Sequence, residues 1–205
     1  MCYTCFMEYF DICSENGIPT GQICSRKEAH EKGILHRTSH VWIVRQAAGG
    51  WQILMQKRSL EKDSFPGLYD TSSAGHIPAG DEPLPSALRE LKEELGLDAK
   101  PEELVYAGHF YIRYEQVFHG ALFRDNEYAN VYVYRGGKGP CAGALSADLL
   151  DISGLTLQES EVDEVRWFDL EAVREEIRTD RSRFCVAAES LEVLREFLAE
   201  HAASG

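Results

Sequence analysis

The chain has 205 residues, 44% of them hydrophobic and 10% aromatic, which suffices for a real core and sets one domain as the expectation. With 21 Lys and Arg against 34 Asp and Glu, the net charge of −13 excludes general electrostatic binding to nucleic acid and docking on an anionic membrane surface. No apolar run approaches the roughly 18 residues of a membrane span, and the first residues lack a basic region followed by an apolar core, so a cytoplasmic protein is expected.

Residues 8–13 and 18–24 flank Ser-Glu-Asn-Gly, and Asn16-Gly17 between two short apolar-rich runs predicts a β-hairpin. Cys13 and Cys24 fall on its two arms and are read, with the other four cysteines, as free thiols. Cys2-x-x-Cys5 is half of a zinc or redox motif, but no second Cys/His pair follows at finger spacing. A short polar segment, 26–32, helical in character, stops at Gly33. Strands are predicted over 41–44 and 51–56, with a loop through Phe65-Pro66-Gly67.

The stretch 75–97 organises the chain. Its second half alternates leucines and acids and ends at Gly96, a natural helix terminator. At about 100° per residue, Glu94 lies near 40° and Glu93 near 300° from Glu90, so three carboxylates share one flank. Leu84, Leu88, Leu91 and Leu95 form the face to be buried. Like charges three and four apart destabilise a helix, and a hard divalent cation is the usual compensator. Further strands are predicted over 104–113, 131–134 and 162–168. Helices follow from 170 and over 184–201. Gly136-Gly137-Lys138-Gly139-Pro140 reads as a loop, as do 59–70, 112–130 and 136–160.

Gly75, five residues, Asp81, seven residues, then Arg89-Glu90-Leu91-Lys92-Glu93-Glu94-Leu95-Gly96-Leu97 resembles the Nudix box, with Asp81 in place of the usual Glu. The resemblance implies an α/β protein: a Nudix-type α/β/α sandwich with a mixed β-sheet, preceded by the N-terminal β-hairpin. Residues 1–33 would be the hairpin extension, 34–201 the core and 202–205 a frayed tail. It also implies a hydrolase that cleaves a diphosphate linkage in a small molecule, a nucleoside diphosphate derivative or an isoprenoid diphosphate, by attack of a metal-activated water. Mg2+ or Mn2+ would be held by Glu90, Glu93, Glu94 and a carbonyl near Gly75. Glu93 would double as base, and Arg89 would position the acids. Asp81, one methylene short, would reach the metal only through water.

The flanks resemble one branch of that superfamily, type I isopentenyl-diphosphate isomerase and its hydrolase-like relatives. The matching stretches are Glu28-Ala29-His30, Leu35-His36-Arg37, 56–62, Gly75-His76 and Asp125-Asn126-Glu127. By that resemblance His76 and Glu127 become metal ligands, His30, His36 and Asp125 candidates for a second metal site, and Arg58 and Lys62 diphosphate contacts. The isomerases carry a cysteine where this chain has Ala74, and alanine cannot transfer a proton. Hydrolysis is therefore favoured over isomerisation. A non-catalytic diphosphate-binding module on a Nudix scaffold is the third alternative. Glu161 and Glu164 are open between ligand, base and surface charge. A homodimer through the Tyr132–Tyr134 strand or the hairpin is an open option.

Overall fold

The computed structural model describes residues 8–135 and 150–202. Cys2-x-x-Cys5, the 136–140 loop and the last three residues lie outside the described residues. The hairpin forms as β1 (Tyr9–Cys13) and β2 (Pro19–Ser25), closed by the Gly17 N–H donating to the Ser14 carbonyl. Cys13 pairs in register with Pro19 and Cys24 with Phe10, so the two thiols do not face each other, and both are free.

Helix α1 (Arg26–Lys32) starts at a Ser25–Glu28 capping box and stops at Gly33, whose φ of 65° suits glycine. Strands β3 (His36–Ala47) and β4 (Gly50–Arg58) follow, then the short β5 (Tyr69–Asp70) and β6 (Ser73–His76). Helix α2 (Pro83–Leu95) opens with proline and closes at left-handed Gly96. Strands β7 (Leu104–Phe118), β8 (Ala121–Tyr134) and β9 (Val162–Asp169) come next, then helices α3 (Leu170–Thr179) and α4 (Ala188–Ala202).

The sheet runs β5-β4-β3-β8-β7, with β6 on β3 and β9 on β4. It is mixed: β3 and β8 are parallel, the other pairs antiparallel. Side chains alternate across it. Val41, Ile43, Leu54 and Tyr132 face Leu91 and Leu95 of α2. Trp42, Val44, Ile53 and Val131 face α3 and α4. These are the layers of an α/β/α sandwich.

Three sequence expectations are corrected. Residues 112–130 are not a loop but most of a long β7–β8 arm turning at His119-Gly120. Its charged residues hide the apolar pattern, while the cross-strand ladder holds its shape. The Tyr132–Tyr134 strand is not an edge on which a dimer forms, because β8 lies between β3 and β7. The last helix begins at Ala188 rather than 184, because the Cys185 N–H is committed to the Tyr69 carbonyl.

Candidate active site

Two acidic groups meet across strand β6. On its free edge stand the carboxylates of α2. A side-chain Cβ at Gly75 would come within 2.6 Å of Glu90 Cγ and closer still to its carboxylate, so glycine is needed for Glu90 to reach the strand. Glu94 accepts the Ala74 N–H at 3.2 Å and the Gln56 amide at 3.3 Å. Glu93 is more exposed, 3.5 Å from Arg89 Nη1. Arg89 also sits 2.8 Å from Glu90 and donates to the His76 carbonyl at 3.1 Å, fastening helix to strand. Burial pushes Glu90 up to about 7, with Arg89 opposing, and Glu94 up to about 8. Buried carboxyls that resist ionising are what an added cation would stabilise.

On the other side, four elements converge: His30 from α1, His36 from β3, His76 from β6, and Asp125 with Glu127 from β8. Ligand atoms of His30, His36 and His76 lie within 4.8 Å of one another, as do those of His36, Asp125 and Glu127. The parallel pairing of His36 with Glu127 and the antiparallel pairing of Thr38 with His76 create this convergence. His30 Nδ1 stands 3.6 Å from Asp125, and Nε2 of His36 and of His76 stand 3.8 and 3.4 Å from Glu127, too long or misaligned for good hydrogen bonds, although native proteins rarely leave such buried atoms without a closer partner. Burial lowers His30 to about 3 and lowers His36, favouring the neutral imidazole that ligates metals. Burial also raises Asp125 to about 9, beside the Glu127 carboxylate. This donor set fits a divalent cation.

Behind the histidines, Phe10 of the hairpin stacks on both His36 (4.9 Å between ring centres) and His76 (4.6 Å), and is fully buried. The hairpin is held there by Arg37, which donates to Asp11 at 3.0 Å and to the Asp81 carbonyl at 2.9 Å. Asp11 in turn accepts the Gly80 N–H. Asp81 itself is exposed and uses its backbone rather than its carboxylate here.

Both groups open on one cavity of about 1350 Å³. It also collects Arg58 and Lys62, and each already has an acidic neighbour. Arg58 bonds Ser64 and lies 3.4 Å from Asp70, while Lys62 pairs with Glu161. Glu161 therefore belongs to the cavity rim, whereas Glu164 is engaged by the Tyr69 hydroxyl. Along the β7–β8 arm, Phe65 meets Tyr114 (5.9 Å) and Phe118 (5.1 Å), and Phe118 meets Phe123 (5.7 Å).

This strand–glycine–acidic-helix arrangement corresponds to a known domain, whose description, NUDIX domain, matches residues 35–187. The chain belongs to the Nudix family. It is 39% identical over 155 residues to an uncharacterized Nudix hydrolase of Clostridium acetobutylicum, covering 76% of this chain and 66% of that protein. Nudix hydrolase 3 of Arabidopsis thaliana is 37% identical over 167 residues, 82% of this chain and 20% of the plant protein. The chain thus spans about two thirds and one fifth of these two relatives. An isopentenyl-diphosphate Delta-isomerase of Escherichia coli is 28% identical over 167 residues, 81% of this chain and 79% of that enzyme. A crystal structure from Deinococcus radiodurans shares the Nudix fold at TM-score 0.60 and 18% identity, covering 92% of this chain and 98% of the other.

Sequence reasoning missed Phe10, Thr38, His40 and the aromatic arm. His-Arg-Thr-Ser-His reads as polar and hides the first half of β3, yet all five residues are buried. The alternation His36-x-Thr38-x-His40 was the available signal.

Proposed function

We propose that this Nudix protein hydrolyses a diphosphate linkage in a small molecule and requires a divalent cation, Mg2+ or Mn2+. The observation that carries the reading is the seating of Glu90 and Glu94 against Gly75 and the Ala74 N–H, at the mouth of an open cavity. Names of relatives support a hydrolase. Glu90, Glu93, Glu94 and the Gly75 carbonyl would hold the cation, with His76 and Glu127, joined by His30, His36 and Asp125, holding a second. Such a cation neutralises phosphate charge and acidifies bound water.

The chain's own groups do the rest. Glu93, the most exposed of the three acids, accepts the proton of an attacking water. Arg89 keeps Glu90 and Glu93 aligned through charge-assisted contacts. Arg58 and Lys62 meet the departing phosphate oxygens once these displace Asp70 and Glu161. Isomerisation is the second reading, favoured by the histidine and acid cluster, but Ala74 offers no proton where that chemistry needs one.

Phosphate release is followed by phosphorus NMR over a panel of nucleoside, sugar-nucleotide, coenzyme and isoprenoid diphosphates. Turnover that needs Mg2+ or Mn2+, stops with EDTA and falls by about two or more orders of magnitude in a folded Glu93→Gln variant supports the assignment. Parental rates from that variant overturn the role of Glu93. Conversion of isopentenyl to dimethylallyl diphosphate would establish the isomerase instead.

A further inference from the structure

Glu94 is held differently from the other two acids of its helix. Glu90 and Glu93 are steadied by Arg89, a cation on the same helix. Glu94 takes its support from the sheet instead. The Ala74 N–H donates to its Oε2 at 3.2 Å, and the Gln56 amide donates to the same oxygen at 3.3 Å. Both donors are neutral, so they fix the carboxylate without cancelling its charge.

Gln56 is an unexpected residue for its place. Strand β4 turns Leu54 toward α2, where it shares an apolar cluster with Leu91 and Leu95, and by alternation residue 56 faces the same way. An aliphatic side chain there would extend that layer. Gln56 is only 2% exposed, with Asp70 of β5 and Val165 of β9 opposite it in the sheet. A buried amide costs stability unless it is bonded, and its nitrogen is spent on Glu94. Glu94 lines the cavity and Gln56 does not. Whatever Gln56 contributes to the site, it contributes through that carboxylate.

We propose that Gln56 is a positioning residue that sets which cation the acidic helix accepts. With Oε2 engaged twice, Glu94 meets an ion through Oε1 alone. Mg2+ is small, demands near-octahedral geometry and keeps several waters, whereas Ca2+ takes about six to eight oxygens and readily accepts both from one carboxylate. Holding one oxygen back therefore favours the smaller ion. Without the Gln56 donor the carboxylate is free to turn and offer both. This rests on the cation reading above and deepens it.

The test titrates Mg2+ and Ca2+ separately into the full chain, stripped with EDTA, by calorimetry. The binding lost in Glu94→Ala marks the site in question. Gln56→Met keeps the volume and removes the donor. It should weaken Mg2+ binding at that site by about 10- to 100-fold, the usual cost of losing a hydrogen bond behind a metal ligand. Ca2+ binding should weaken less, so the ratio of Mg2+ to Ca2+ affinity falls. Gln56→Asn keeps the amide but is one methylene short of Glu94 and should lower the ratio too, which covers a failure of Gln56→Met to fold.

In the Glu94→Ala background neither substitution should change the binding that remains. A residue that only packs would lower the melting temperature of the metal-free chain in both backgrounds and leave the ratio where it was. If a folded Gln56→Met or Gln56→Asn keeps the parental ratio, or the ratio falls equally without Glu94, Gln56 has no such role while the diphosphate reading stands. If the parent chain binds neither ion, the cation reading falls and this inference with it.

Discussion

Gly75 and Glu90 share one space: the carboxylate of the helix residue occupies the volume that a side chain on the strand residue would need. The acidic helix is thereby locked to β6 beside the cavity. Gly75→Ala should push Glu90 off the strand edge. A displacement of about 1 Å in a reacting group costs on the order of 100-fold in rate. The expected outcome is that loss in kcat with the fold intact, measured beside the melting temperature. Unchanged kcat would show that Glu90 need not touch the strand.

Glu90 and Glu94 also set a pH dependence. Their folded values, about 7 and about 8, lie above the model-compound value of 4.5. The folded protein thus holds protons that the unfolded chain has released. This stabilising contribution is complete below about 4.5 and is lost as pH rises through 7 to 8. In EDTA the melting temperature should therefore fall between pH 5 and pH 8, and Glu94→Gln should flatten the fall. Mg2+ should recover more at pH 8 than at pH 5, because only ionised carboxylates bind it. Identical pH profiles for the parent and Glu94→Gln would rule this out.

The buried pair Arg37–Asp11 ties the hairpin to the core. Removing one partner strands the other charge away from water. Asp11→Ala is accordingly expected to cost about 3–5 kcal/mol, read from urea unfolding. A cost near zero would mean that Arg37 is compensated by the Asp81 carbonyl alone.

Phe10 offers a purely apolar counterpart. Phe10→Ala leaves a cavity under two imidazoles, with an expected loss of about 3–5 kcal/mol, and Phe10→Leu costs less. In Phe10→Leu, Mn2+ affinity measured by calorimetry should weaken while the fold persists, because stacking on His36 and His76 is lost. Undiminished affinity would reduce Phe10 to packing.

The box was legible in the sequence because its spacing fixes helix phase. Glu90, Glu93 and Glu94 share a flank by 3.6 residues per turn, whereas the place of Gly75 beside them was implied by the resemblance to the Nudix box. The hairpin was legible for a similarly local reason, the Asn16-Gly17 turn. The first half of β3 was not. Burial of His36, Thr38 and His40 depends on β6, β8 and Phe10, which are remote in sequence, and hydropathy reads such residues as surface. The β7–β8 arm escaped notice for the same cause. Its order comes from a ladder between distant residues, not from its own alternation.

The family match starts at residue 35, whereas the ring that backs His36 and His76 sits at residue 10 and His30 lies in α1. Trimming the chain to residues 35–187 would remove His30 from the cluster outright and strip Phe10 from the other two imidazoles. On the proposed reading the opening segment completes the cluster, and a chimera between relatives would have to transplant both together.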